Sequence, residues 1–230
     1  MTISFEQLTT PMIADACVRL GVSAFAAPPG IRPVLPGARL AGRVLPVRHY
    51  GSVDVFLEAY GAASPGDVLV IDNGGRVDEA CIGDLAVLEA RTAGVAGIVV
   101  WGLHRDSAEL AEIGMPVFSY GPFPYGPLRV DEREAEALLS ARLGERTVTA
   151  ADVVFADDDG VLCVPGDRLD AVLETAEAIR RTERRQAERI LAGETLREQT
   201  AFDEYLRARA QDPGHTFRAH LRRVGGAIEE

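Results

Sequence analysis

The sequence contains no lysine, so all 24 of its cationic residues are arginines. An enzyme that forms an imine between a lysine and a carbonyl substrate is therefore excluded. Cysteine is also scarce. The three cysteines, Cys17, Cys81 and Cys163, are too widely spaced for a zinc site or a C-x-x-C pair, and we expect reduced residues of the core.

Long apolar segments and a basic surface are missing as well. No run is long enough to cross a membrane, and the first residues resemble neither a secretory signal nor a basic targeting helix. A formal net charge of -11 argues against a general binder of nucleic acid, which needs a positive surface. We therefore expect a cytoplasmic protein that binds neither membranes nor nucleic acid.

Helical and strand patterns alternate along the 230 residues, which predicts an α/β fold with a mixed sheet. The predicted helices cover residues 10–21, 54–60, 85–91, 109–113, 132–143, 167–192 and 195–206. The predicted strands cover residues 41–47, 67–72, 97–101, 115–120 and the β-rich segment 147–155. The proline-rich residues 22–37 predict a loop.

The segment from Cys81 to Asp106 carries the strongest functional signal. Its Gly83-Asp84 pair precedes a breaker-free helical pattern, and a helix that begins this way presents unpaired backbone N–H groups at Leu85 and Ala86. Those groups, together with the positive end of the helix dipole, favour a bound carboxylate or phosphate.

The apolar run at residues 97–101 predicts a buried parallel strand, and Arg105 and Asp106 follow its carboxyl end. Ligands of open α/β sheets bind at that edge. The helix start, the arginine and the carboxylate can therefore converge on one small anion and one metal ion. The competing interpretation is a solvated Arg-Asp pair of little energetic value beside an ordinary helix cap.

Asp84, followed after twenty intervening residues by Arg105-Asp106, resembles the signature of the RraA-like family. This family includes the metal-dependent 4-hydroxy-4-methyl-2-oxoglutarate aldolases. The resemblance extends over about residues 9–200 and includes further similar segments at Pro65–Asp72, Gly94–Val100, Met115–Phe118 and Asp157–Val161.

The resemblance implies a single-domain, swivelling β/β/α-type fold, which we place at residues 1–192. Residues 193–230 are expected to form a C-terminal helical tail that packs on the core or on a neighbouring subunit. The family resemblance also implies homotrimers or hexamers.

The resemblance further implies a lyase that releases pyruvate from acids like 4-hydroxy-4-methyl-2-oxoglutarate and decarboxylates oxaloacetate. Asp106 is then the ligand of a divalent metal, Mg²⁺ or alternatively Mn²⁺, because Mg²⁺ accepts few protein oxygens and keeps several waters. Arg105 and the helix start at Gly83–Ala86 hold the pyruvyl carboxylate or enolate, and Asp84 positions a water for proton transfer.

Other interpretations stay open at this point. The family's founding name describes a protein that inhibits a ribonuclease by binding it, and an acidic surface would suit a basic partner. A third function, methyl transfer, is set aside, because the sequence has no glycine-rich strand-to-helix loop of the kind that binds a methyl-donor cofactor. Glu194, Glu198 and Glu204 are candidates for a base that a neighbouring subunit donates, whereas His215 and His220 lack a third metal ligand and indicate a structural tail.

Overall fold

The computed structural model describes residues 5–225 and contains two compact units. One unit comprises Met1–Pro11 and Val22–Leu169, and the other comprises Met12–Gly21 and Asp170–Glu230. These units reflect packing within the chain, and the expected domain division between residues 192 and 193 stays a prediction.

Across the described residues the helices are α1 (Thr10–Leu20), α2 (Asp54–Ala62), α3 (Asp84–Thr92), α4 (Ser107–Ile113), α5 (Leu169–Leu191), α6 (Leu196–Gln199), α7 (Phe202–Gln211) and α8 (Phe217–Val224), with a 3-10 turn at Gly166–Arg168. The strands are β1 (Phe25–Ala26), β2 (Arg32–Pro33), β3 (Leu40–Arg48), β4 (Val68–Asp72), β5 (Ala80–Ile82), β6 (Gly97–Trp101), β7 (Leu103–His104), β8 (Val117–Ser119), β9 (Ser140–Leu143), β10 (Arg146–Thr149), β11 (Asp152–Asp157) and β12 (Gly160–Pro165).

The first unit is built on an eight-stranded sheet with the order β1-β12-β11-β3-β4-β6-β8-β2. Strands β3, β4, β6 and β8 run parallel to one another, whereas β11, β12, β1 and β2 pair antiparallel with their neighbours. The predicted α/β class with a mixed sheet and C-terminal helices is thus confirmed.

Successive residues of the central strands fill two cores, one on each face of the sheet, because side chains alternate in direction along a strand. One core includes Phe56, Leu69, Ile71, Val87 and Ile98, and the other includes Val68, Val70, Val99, Phe118 and Leu143. Burying each large side chain of this kind stabilises the fold by about 1.5–3 kcal/mol. Both faces of the parallel strands are covered, which explains their continuous apolar runs.

The predicted helix over residues 132–143 is wrong. Residues 135–139 form turns, and Ser140–Leu143 is strand β9, which pairs antiparallel with β10 through a turn at Gly144. Ala141 and Leu143 are both buried in the sheet core. Two buried side chains separated by one residue lie on the same face of a strand, which fits the extended conformation seen here. Tertiary packing has overridden the helix propensity of the preceding Glu and Ala residues.

The helix predicted over residues 195–206 is divided in two. Its capping box is confirmed, because the Thr195 side chain accepts from Glu198 N and the Glu198 side chain accepts from Thr195 N. However, Ala201 adopts a left-handed conformation with φ of 48° and ends the turn before α7 begins. Strands β1, β2, β5 and β7 were not predicted, since two or three residues carry no readable periodicity.

In the second unit, α7 and α8 enclose a cluster of aromatic rings. Tyr205 and Phe217 lie with ring centroids 4.9 Å apart, and buried His220 donates from Nε2 to the carbonyl oxygen of Thr200 at 2.7 Å. This hydrogen bond gives His220 a structural partner, in line with the structural tail that the sequence indicates.

Candidate functional site

A short pair of parallel strands joins the two ends of the Asp84-to-Asp106 segment. Strand β5 leads into Gly83, strand β7 leads into Arg105, and the backbone N of Arg105 donates to Ile82 O at 2.9 Å. Twenty intervening residues are thereby folded into helix α3 and strand β6. Their ends meet at the carboxyl edge of the parallel strands, as the sequence predicts.

Helix α3 begins at Asp84 with Gly83 as its N-cap, which confirms the predicted helix start. The backbone N of Asp84 donates to Asp106 Oδ2 at 3.2 Å. A Cβ at position 83 would lie 2.2 Å from that same carboxylate oxygen, so a larger residue there would force the Asp106 side chain to move.

Asp106 has an unusual backbone conformation, with φ of 61° and ψ of 43° immediately before helix α4. Left-handed backbone is rare outside glycine and is concentrated at functional sites, because surrounding structure must offset its cost. Its Oδ2 faces Asp84 N and, at 3.4 Å, Arg105 Nε. In the described part of the chain Oδ1 accepts no hydrogen bond, which leaves one carboxylate oxygen for a cation.

The Arg105 side chain is half exposed and extends over Gly126, where a Cβ would lie 3.1 Å from Nη1. Within residues 5–225 neither terminal nitrogen of its guanidinium group has a protein hydrogen-bond acceptor. Both are therefore available for the planar, bidentate recognition of a carboxylate.

The two backbone N–H groups predicted to bind an anion differ in their surroundings. Leu85 N donates to Asp84 Oδ1 at 2.7 Å, so the carboxylate of Asp84 covers that group. Ala86 N has no acceptor among the described residues. The backbone N–H of Ala86 can therefore donate to a bound carboxylate directly. The N–H of Leu85 can donate to it only if the Asp84 side chain first rotates away.

These groups line a cleft of about 460 Å³, which we call the Arg105 cleft. The cleft is lined by His49, Gly51, Ser52, Val53, Ala80, Cys81, Ile82, Gly83, Asp84, Leu85, Ala86, Arg105 and Pro127. His49 is buried, and this burial lowers the pKa of its imidazole. Its Nδ1 donates to Asn73 Oδ1 at 2.8 Å. His49 is therefore a neutral wall of the cleft.

His104 is a residue of this site that the sequence did not reveal. It is buried, and its ring nitrogens contact Ser119 Oγ at 2.6 Å and Ser107 Oγ at 2.9 Å. Burial lowers the pKa of His104, so the neutral ring is favoured. Because Ser107 directly follows Asp106, the His104 ring braces the left-handed turn. The only signal in the sequence was a histidine before an Arg-Asp pair.

A polar cluster next to the cleft was also not predicted. The carboxylate of buried Glu79 is held by Arg129 at 2.9 Å, and Arg129 also donates to Asn73 at 3.1 Å. The Asn73-Gly74-Gly75 segment beside this cluster forms a turn in which Gly75 N donates to Trp101 O.

The donor atoms near Asp106 suit a divalent metal that keeps most of its water ligands. In residues 5–225 no group of three or more His, Cys, Asp or Glu side chains is placed to hold a metal. The predicted site needs only one carboxylate, since Mg²⁺ retains water ligands. The free Oδ1 of Asp106, close to the cleft, fits that requirement.

The glutamates proposed as donated bases are engaged within the second unit. Glu194 and Glu204 form ion pairs with arginines, and Glu198 completes the capping box of α6. None of the helices in the described region is long and apolar enough to cross a membrane.

The model of the RraA-like family, described as Aldolase/RraA, matches residues 10–163. Protein DlpA of Legionella pneumophila is 38% identical over 130 residues, which cover 56% of this chain and 21% of that relative. The match thus spans about a fifth of DlpA. A relative from Alkalilimnicola ehrlichii, named "Putative 4-hydroxy-4-methyl-2-oxoglutarate aldolase", is 32% identical over 126 residues, which cover 54% of this chain and 76% of the relative.

Solved structures agree with these matches. An uncharacterized protein from Pseudomonas syringae pv. tomato has a TM-score of 0.72 and 27% identity, over 84% of this chain and 93% of its own. The RNA-processing inhibitor RraA from Thermus thermophilis has a TM-score of 0.58 and 25% identity, over 66% of this chain and 92% of its own.

Proposed function

Because the chain belongs to the RraA-like (Aldolase/RraA) family, we propose that it is a divalent-metal-dependent aldolase. It cleaves 4-hydroxy-2-oxo acids, such as 4-hydroxy-4-methyl-2-oxoglutarate, to pyruvate, and the same site decarboxylates oxaloacetate. One observation carries the proposal: Arg105, whose two terminal nitrogens have no protein acceptor among the described residues, lines the cleft beside the start of helix α3, and the neighbouring Asp106 keeps its Oδ1 without a hydrogen bond in the same part of the chain.

Different protein groups bind the substrate and the metal. Arg105 holds the pyruvyl carboxylate or the enolate oxygen with its two terminal nitrogens, and Ala86 N–H donates to the same carboxylate. Asp106 would hold Mg²⁺ or Mn²⁺. When bound, the metal supplies Lewis-acid stabilisation of the negative charge that develops on the 2-oxo oxygen.

Cleavage needs one proton removed and one returned. Asp84, directly or through a water, accepts the proton of the 4-hydroxyl group as the C3–C4 bond breaks. The bonding electrons become the enolate of pyruvate, C4 becomes a carbonyl, and C3 then takes up a proton. Decarboxylation of oxaloacetate uses the same enolate and requires no base for a hydroxyl group. A lysine imine is excluded as the electron sink, because the chain has no lysine.

We further propose a cytoplasmic homotrimer or hexamer that binds a small 2-oxo acid and neither nucleic acid nor membranes. Light scattering at micromolar concentration is the check on assembly, and a monomer contradicts it. In an oligomer of this kind, Glu194, Glu198 or Glu204 of a neighbouring subunit can reach the cleft only after leaving its present partner.

The alternative is a regulator that binds a ribonuclease without chemistry, supported by the likeness to the Thermus inhibitor and by the acidic composition. Release of pyruvate, measured through lactate dehydrogenase with and without EDTA, separates the two. The aldolase proposal predicts Mg²⁺-dependent release above the metal-only background and inhibition by oxalate, which resembles the enolate. If pyruvate is released from 4-hydroxy-4-methyl-2-oxoglutarate and from oxaloacetate no faster than with the metal alone, the regulator is favoured.

A further inference from the structure

Asp106 stands at the N-terminus of helix α4 but does not cap it. An aspartate at an N-cap usually has an extended backbone, and its carboxylate accepts hydrogen bonds from N–H groups of the first turn. Asp106 instead has φ of 61° and ψ of 43°, and its side chain makes no capping hydrogen bond. Its Oδ2 accepts from Asp84 N at the start of helix α3. The carboxylate is thus directed away from its own helix and toward the start of α3.

The left-handed backbone of Asp106 has no capping bond of its own, so neighbouring contacts must offset its strain. His104 and Ser107 lie immediately on either side of Arg105 and Asp106. His104 Nε2 lies 2.9 Å from Ser107 Oγ. This hydrogen bond closes a short loop of chain around Arg105 and Asp106 and restricts the conformations that their backbone can adopt.

His104 is itself fixed at its backbone and at its ring. Its backbone N donates to Gly121 O at 3.0 Å, and its carbonyl oxygen accepts from Phe123 N at 2.8 Å. Its Nδ1 lies 2.6 Å from Ser119 Oγ. His104 and Ser119 are both buried. The ring therefore connects the end of strand β8 to the first residue of α4 through contacts within one chain.

The donors and acceptors around the His104 ring follow from the hydrogen bonds of Ser119. Ser119 Oγ accepts from Gly121 N at 3.0 Å, and among the described residues its hydroxyl proton has no acceptor except His104 Nδ1. A buried hydroxyl without an acceptor would cost stability, so Ser119 donates to Nδ1. The neutral ring then carries its proton on Nε2, which donates to Ser107 Oγ.

We propose that His104 is a positioning residue, which holds Asp106 in the left-handed conformation through its hydrogen bond to Ser107. Without that bond, Asp106 can relax to the extended backbone of an ordinary N-cap, and its carboxylate then turns toward the N–H groups of α4. The carboxylate would no longer be available to the metal, although the fold is retained. This inference rests on the aldolase proposal in taking Asp106 as the metal ligand.

Two substitutions of His104 separate this role from ordinary packing. Glutamine places its amide nitrogen near the position of Nε2 and can still donate to Ser107, whereas the shorter asparagine reaches only the Ser119 side. Electron paramagnetic resonance gives the Kd for Mn²⁺ at the tightest site of the full chain. We expect His104→Asn to raise this Kd at least about tenfold and His104→Gln to leave it within about threefold of the original. Equal Kd values for the two variants overturn the proposal.

Ser107 provides the same test from the other end of the hydrogen bond. Ser107→Ala removes the acceptor and should raise the Kd about tenfold, whereas Ser107→Thr keeps a hydroxyl group and should stay within about threefold of the original. Ile113→Ala is the matched control, because Ile113 is at the far end of α4 and packs against the core. It should lower the temperature of unfolding and leave the Kd within about twofold. Unchanged Mn²⁺ binding by Ser107→Ala, or an equal loss in Ile113→Ala, contradicts the proposal.

The same measurements separate this inference from the aldolase proposal. If Asp106→Asn weakens Mn²⁺ binding and the substitutions at His104 and Ser107 do not, the positioning role alone is overturned. If Asp106→Asn binds Mn²⁺ as tightly as the original chain, the metal assignment falls, and the inference falls with it. Mn²⁺ binding that depends on Asp106, His104 and Ser107 without any release of pyruvate supports the positioning role and overturns only the aldolase reaction.

Discussion

Arg105 lines the cleft, and its two terminal guanidinium nitrogens have no protein partner among the described residues. We predict that Arg105→Lys lowers kcat/KM for pyruvate release by roughly 10- to 100-fold, because a point charge cannot reproduce two parallel charge-assisted hydrogen bonds. Metal binding should persist, since Asp106 is unchanged. Steady-state kinetics with metal titration check this, and a variant within twofold of the original enzyme contradicts the assigned role.

The buried histidines His49 and His104 should make the free energy of unfolding depend on pH. Burial lowers the pKa of His49 and of His104 in the folded protein, below the usual value of about 6.5 for an unfolded chain. The unfolded state therefore binds more protons in this range. The stabilisation is present above pH 6.5 and is lost as the pH falls through the folded-state values.

Urea unfolding between pH 7.5 and 5.5 should show this loss, with a slope of at most about 1.4 kcal/mol per pH unit for each histidine. His104→Gln should reduce the slope, because one of the two titrating groups is gone. A free energy of unfolding that stays constant down to pH 5.5 would contradict the neutral assignment.

Among the elements, helices α2 and α3 offer a matched pair of glycines. Gly83→Ala should abolish most activity, because the new Cβ would lie 2.2 Å from Asp106 Oδ2 and would force that carboxylate to move. Gly61 lies within α2 and has nothing within 4 Å of a Cβ, so Gly61→Ala should stabilise that helix by up to about 1 kcal/mol. Activity and thermal unfolding of both variants test this. Equal activity in the two would contradict the close approach at Gly83.

Elements with a clear period could be predicted from the sequence, and elements set by long-range pairing could not. The runs at Val68–Asp72 and Gly97–Trp101 are buried on both faces and read directly as strands. Strands β5 and β7 stabilise each other only by pairing across the fold. Ser140–Leu143 became a strand because Ala141 and Leu143 fill the core, which no local pattern of Glu, Ala and Leu reveals.

The same distinction applies to the site. Asp84, Arg105 and Asp106 could be placed together, since strand ends and helix starts are readable and their spacing resembles a family signature. The left-handed backbone of Asp106, the brace from His104 and the neutralised Arg129 depend on contacts between distant segments. Those contacts decide which hydrogen-bonding groups are free, and therefore what the cleft can bind.

At the scale of the whole molecule, the proposed metal-dependent reaction can be tested at Asp106, whose carboxylate would hold the metal. Asp106→Asn is the sharpest variant, because asparagine tolerates the left-handed conformation and keeps the size of the side chain while removing its charge. Folding can be checked independently by circular dichroism.

The decisive experiment measures Mn²⁺ binding by electron paramagnetic resonance in the original chain and in Asp106→Asn. Pyruvate release is measured on the same preparations. If Asp106 is the metal ligand, the folded Asp106→Asn variant binds Mn²⁺ at least about tenfold more weakly and releases pyruvate no faster than the metal alone. A folded variant that keeps metal-stimulated release at the original rate would contradict that assignment.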